Sequence, residues 1–190
     1  MPADADALRA AIELLHLPSR VRSLRSAPLP RGVPLLLGIV AGDRDAERDA
    51  ARMVDRSQDV VRRAATFFVE QILLSPDADS YRVLGAGPQA TSEELRRNMA
   101  LLMRWLHPDM DRRDELSVFV SRVTLAWEDV KTPQRRAAYD SKQRSLPAGK
   151  RSKVQRARGL QRRQAFDAYG EEQAGFVRRA LSLLFGRAKY

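Results

Sequence analysis

The sequence predicts an all-α protein, and three observations carry that prediction. Apolar residues recur at three- and four-residue spacing along most of residues 8–130, the period of helices that bury one face. Ser57 and Thr91 each stand just before such a stripe, and Thr132 just before Pro133, where a hydroxyl can cap the first helical turn. Pro18, Pro28, Pro30, Pro76, Pro108 and Pro133 fall between the stripes or at their first position, where a helix tolerates them.

The chain has 190 residues, 44% of them hydrophobic, so it can bury a core and is not globally disordered. One domain with an extension, or two small domains, fits that length. There is no Cys, which removes disulfides, a thiolate nucleophile and the common zinc sites. The two His, His16 and His107, are too few and too far apart for a histidine metal cage. No metal or cofactor is expected, and no enzyme.

The net charge is +10, and all of it lies at one end. Residues 1–75 and 76–140 are each within one charge of neutral, whereas 141–190 carry 13 basic and 3 acidic side chains. A near-neutral body with a basic tail is expected, not a uniformly cationic binder.

Taken in order, residues 8–15 are the first helix candidate, ended by Pro18. Pro18, Pro28, Pro30 and Pro34 make 18–34 read as a linker or a loop draped on a surface. The apolar run 33–41 is about half the ~20 residues that a membrane span needs. Arg20, Arg22, Arg25 and Arg31 before it raise the question of a late signal peptide. The acidic start at Asp4 and Asp6 and the internal Pro34 weigh against export, so a cytoplasmic location is expected.

From Asp43, the stripes Ala46, Ala50, Met53, Val54 and then Val61, Ala64, Ala65, Phe68, Ile72 predict a helical hairpin or one interrupted helix over about 43–74. Thr91-Ser92-Glu93-Glu94 is a capping box. The helix it opens carries Leu95, Met99, Leu102 and Leu106 on one face and must stop at Leu106–His107, before Pro108. Another helix starts near Asp114, with Leu116, Val120, Val123, Trp127 and Val130 on one face. Thr132-Pro133 then opens a short final helix through Tyr139. Two long antiparallel helices with short helices at either end are the architecture implied.

These residues also carry a family resemblance. The segment from Asp79 to Gly85 resembles the first helix of a J domain, the family of DnaJ-type co-chaperones. His107-Pro108-Asp109 resembles that family's signature loop, 26 residues after Tyr81, and Ala126 to Val130 followed by Arg135 to Asp140 resembles its last two helices. A lone His-Pro-Asp is weak; the same tripeptide between two amphipathic helices, with both flanking motifs in register, is specific. The resemblance covers 77–142, a third of the chain. It divides the sequence into an N-terminal helical extension (1–75), a J domain (77–142), and a basic linker with an amphipathic C-terminal helix (143–190).

The resemblance implies a function without chemistry of its own. Such domains bind a DnaK-type ATPase chaperone and stimulate its ATP hydrolysis. His107, Pro108 and Asp109 would contact the partner, and Arg96, Arg97 and Arg104 would face its acidic surface. A rigid proline turn and an aspartate available for a charge-assisted hydrogen bond suit that role. A catalytic His107–Asp109 pair lacks a nucleophile or third group. A degenerate J domain that activates nothing remains the alternative, because Ala100, Leu101 and Met110 stand where the family usually has basic side chains. Leu101 and Trp105 are expected to be covered by the N-terminal helices.

No Gly/Phe-rich linker, Cys-rich zinc domain or β-rich client-binding domain is recognisable, so the tails are expected to decide where the partner chaperone, and any client protein, is recruited. Residues 141–163 hold Lys150, Arg151, Lys153, Arg156, Arg158, Arg162 and Arg163 among nine basic side chains and no acidic one. Such a run can neutralise the phosphates of nucleic acid or an anionic membrane, or be a solvated linker. It contains no aromatic residue to stack on bases. Phe176, Val177, Ala180, Leu181, Leu184 and Phe185 share one helical face, suited to docking, self-pairing or a membrane surface. A nucleic-acid- or ribosome-associated adaptor is therefore the rival to a co-chaperone.

Overall fold

A computed structural model describes residues 5–107 and 113–145, with side chains from 118 onward in the second stretch. Among them the ordered elements are all helical. In order they are α1 (Ala5–His16), α2 (Val21–Ser26), α3 (Val33–Val40), α4 (Arg44–Val54), α5 (Gln58–Phe68), α6 (Ser80–Val83), α7 (Ser92–Trp105), α8 (Arg113–Val130) and α9 (Pro133–Ser145). No helix among these residues is long and apolar enough to cross a membrane.

The ends of the helices follow the local chemistry. Asp43 caps α4 by accepting from the amides of Asp45 and Ala46, and Ser57 caps α5 by accepting from Val60. The Thr91 capping box is complete: the hydroxyl accepts from Glu94 N–H at 3.1 Å, and Glu94 Oε2 accepts from Thr91 N–H at 2.7 Å. Thr132 accepts from the amide of Arg135 at 3.3 Å with Pro133 at N1. From there α9 runs six residues past Tyr139, to Ser145. Lys142, Gln143 and Arg144 are good helix formers, and they extend the helix without any apolar stripe to announce it.

Residues 18–34, read from the sequence as a Pro-rich loop, are partly helical. Pro18–Arg20 form a 3₁₀ turn that leads directly into α2. Pro18 and Pro34 both sit in first turns, where a missing N–H costs nothing. The 33–41 run becomes α3, the centre of the molecule. Leu36, Leu37 and Ile39 are fully buried, and α3 packs on α1, α4, α5 and α7. A short helix that is apolar all round needs neighbours on every side, and here it has them.

α1, α4 and α5 form a bundle around α3, and α2 packs on the turn that follows α5. α5 supplies Val61, Ala64, Ala65 and Phe68, and the π-helical turn Val69–Leu73 that continues it supplies Ile72 and Leu73. α4 returns against α5 through Glu47, buried at 4% exposure, whose carboxylate takes Arg62 Nη2 at 2.5 Å. An unpaired carboxylate there would be costly, so Arg62 is a structural partner.

The second unit is the hairpin of α7 and α8, with α6 lying across α8 and α9 folding back beside it. Leu95, Met99, Leu102 and Leu106 are buried as the stripe required, and so are Val123 and Val130. Trp105, at the end of α7, stacks on Phe119 near the start of α8 (centroids 6.4 Å apart), the pairing of an antiparallel hairpin. The aromatic cover on Trp105 thus comes from α8, within the hairpin itself.

The two units share one core. Arg82 on α6 donates to the carbonyl of Ala27, and Arg122 on α8 donates to the carbonyl of Leu74. Burial pulls the pKa of the Arg82 guanidinium down, against the pull of Asp79. Val33, Leu37 and Leu73 crowd against Gly85, between α6 and α7.

Candidate partner-binding site

The candidate site begins with the surface that α7 leaves open. Leu95, Asn98, Met99, Leu102, Met103 and Trp105 are buried and cover an arc of about 160° on a helix turning about 100° per residue. The remaining side holds Arg96, Arg97 and Arg104, all exposed, with half-buried Ala100 and Leu101 between them. His107 follows directly, half-buried, its N–H donating to Arg104 O at 3.4 Å. Pro108 and Asp109 lie outside the described residues, as does Met110.

At the other end of α7 the Glu94 carboxyl is held below the ordinary glutamate range, mainly by the Thr91 amide, then by the Thr91 hydroxyl, with a smaller pull from Arg97. Asn98, on the packed side of α7, is buried at 2% exposure. Its amide donates to Leu84 O at 3.0 Å and, more weakly, to Gly85 O at 3.5 Å. That ties α7 to the turn after α6.

A second cluster fixes α6 against α8 and α9. Ser80 Oγ donates to Asp129 Oδ2 at 2.7 Å, and Ser80 N–H donates to Tyr139 Oη at 2.9 Å. Tyr81 Oη donates to Asp140 Oδ1 at 2.7 Å and accepts from Arg136 Nε at 3.1 Å. The two tyrosine rings meet edge to face at 5.7 Å, with the Arg136 guanidinium 5.3 Å over the Tyr81 ring. Arg136 also donates to Pro88 O at 2.7 Å, closing the loop before α7. Burial, then the bond to Asp140, pushes the Tyr81 phenol up to about 12. Burial also raises Tyr139. This cluster locks α6 to α8 and α9.

The structure therefore brings His107, Arg96, Arg97 and Arg104 onto one helix and its end. The anion-binding candidates Lys150, Arg151, Lys153, Arg156, Arg158, Arg162 and Arg163, and the apolar face from Phe176 to Phe185, lie outside the described residues. Sequence reasoning missed the tethers Arg82 and Arg122. Each reaches a main-chain carbonyl more than 45 residues away, an acceptor that every residue type offers and none advertises. The lock was announced in part, because Tyr81, Arg136, Tyr139 and Asp140 stood in the quoted motifs, although their pairing did not.

Comparison with known proteins agrees with this arrangement. The DnaJ domain family matches residues 79–140. The chain is 37% identical over 62 residues to the chaperone protein DnaJ of Latilactobacillus sakei, covering 33% of this chain and 16% of that protein. It is 38% identical over 63 residues to the DnaJ of Leifsonia xyli subsp. xyli, covering 33% and 17%. Over 63 residues it is 32% identical to the curved DNA-binding protein of Coxiella burnetii, covering 33% and 20%. The matches span about a fifth or less of each relative's length. No solved structure matches the chain. The hairpin, the lock across α6, α8 and α9 and the family match coincide, so residues 79–140 form a J domain of the DnaJ family.

Proposed function

We propose that this protein is a J-domain co-chaperone that binds a DnaK-type ATPase chaperone and stimulates its ATP hydrolysis. The reading rests on one observation: the helices of the matched J domain leave Arg96, Arg97 and Arg104 exposed on α7, the helix that ends two residues before His107. An exposed cationic face speeds encounter with an acidic partner surface and makes that step salt-sensitive. His107-Pro108-Asp109 then acts as the contact that triggers hydrolysis, with all chemistry done by the partner. The N-terminal bundle leaves that face in solvent while gripping the domain from α3.

The test is single-turnover ATP hydrolysis by a purified DnaK-type chaperone, with the parent and His107→Gln side by side. Stimulation by the parent and its loss in the variant, at unchanged helicity, is the expected result. Equal stimulation by both removes the role of the loop.

The name of the Coxiella burnetii relative motivates a second reading, a nucleic-acid adaptor. The match to that relative covers only 63 residues, a third of this chain. Removing residues 146–163, beyond α9, separates the two. An adaptor loses its nucleic-acid binding, whereas a co-chaperone keeps its stimulation.

A further inference from the structure

The solvent side of α7 alternates charge with apolar surface. At about 100° per residue, Leu101 sits about 40° from Arg97 and about 60° from Arg104, and Ala100 about 40° from both Arg96 and Arg104. Leu101 is half-buried: its inner edge packs on the core and its outer edge stays in solvent among the arginines. One turn on lies Trp105, 6% exposed and stacked on Phe119. The leucine therefore stands on a fixed, already buried floor, and little side-chain freedom remains to be lost on binding.

We infer that Leu101 is an apolar anchor of the partner-binding surface, and that this J domain selects a DnaK-type partner whose acidic face has an apolar recess opposite it. The inference rests on the co-chaperone reading above. Charge decides the occupant. A second copy of α7 would set arginines against arginines, and a purely apolar peptide would gain nothing from Arg97 and Arg104 on either side of the leucine. A carboxylate-rimmed apolar recess satisfies both kinds of residue at once. Such a contact is polar at its rim and desolvated at its centre, the arrangement that concentrates binding energy in a central side chain.

The experiment is a titration of ATPase stimulation with the full chain, for the parent, Leu101→Ala, Leu101→Lys and Arg97→Ala, at low and high salt. Thermal melts check that each variant folds, and the lysine variant can lie along the surface with its charge in water. Leu101→Ala is expected to raise the half-maximal concentration about five- to tenfold, with the saturating rate and the salt dependence kept. Leu101→Lys should also weaken binding while steepening the salt dependence, and Arg97→Ala should flatten it. A lysine variant that binds as well as or better than the parent overturns the inference, as does an alanine variant with unchanged half-maximal concentration. Absence of stimulation by the parent removes the co-chaperone reading itself. Parental stimulation with indifferent Leu101 variants removes only the anchor.

Discussion

Gly85 lies so close to Val33 that a Cβ added to it would stand 2.9 Å from Val33 Cγ1 and 3.1 Å from Leu37 Cδ1. The glycine belongs to the turn between α6 and α7, and the valine and leucine to α3. Its φ of +65° lies in the left-handed region, which side chains disfavour. At this residue the N-terminal bundle and the J domain touch with nothing between them.

Gly85→Ala should therefore destabilise the protein twice over, through backbone strain and through overpacking against α3. The two add to about 2–5 kcal/mol. Urea unfolding followed by circular dichroism measures it. Gly87→Ala is the control, since a Cβ there meets nothing within 4 Å. A Gly85 variant as stable as the Gly87 variant would mean that α3 yields at this contact.

Removing residues 1–75 should leave a less stable J domain. The truncation uncovers the apolar surface around Gly85 and deletes both Ala27 and Leu74, the carbonyl partners of Arg82 and Arg122. Losing one such partner costs about 1–3 kcal/mol where the donor stays buried. A fall in melting temperature of more than about 5 °C relative to the full chain is expected. An unchanged melting temperature would show that the hairpin does not depend on the bundle.

Stability should fall as pH rises from about 10 to about 12, because the folded protein keeps the Tyr81 phenol protonated up to about 12. The sign follows from linkage. The unfolded chain releases this proton near the ordinary tyrosine value of about 10, so alkali favours unfolding until the folded form also releases it. Tyr139, raised by burial, acts in the same direction. Tyr81→Phe should lower stability at neutral pH by about 1–2 kcal/mol, since Asp140 and Arg136 lose their shared hydroxyl. The same variant should flatten the alkaline decline without abolishing it. Denaturant midpoints measured across that range provide the check, and an equally steep decline in the variant would place the titration elsewhere.

Much of the J domain was legible because its determinants are local. A capping box needs only Thr91 and Glu94 three residues apart, and both bonds form. The stripe Leu95, Met99, Leu102, Leu106 needs only helical periodicity, and all four are buried. Arg96, Arg97 and Arg104 lie off that stripe and are exposed. Residues 18–34 were harder to read. Prolines mark where a helix cannot continue, but also where one can begin, and their own sequence does not distinguish the two.

What the sequence by itself determined is local: the capped starts of α5, α7 and α9, the stop of α7 before Pro108, and which side of α7 faces water. The tertiary structure decided which segments meet. It placed the apolar run 33–41 at the centre as α3, covered Trp105 with Phe119, and joined Arg82 to Ala27 O and Arg122 to Leu74 O. The reason is physical. Periodicity and capping arise between residues a few positions apart, so they are written along the chain. Apolar faces attract without direction, and main-chain carbonyls accept without regard to residue type. Only the packed arrangement selects among those partners.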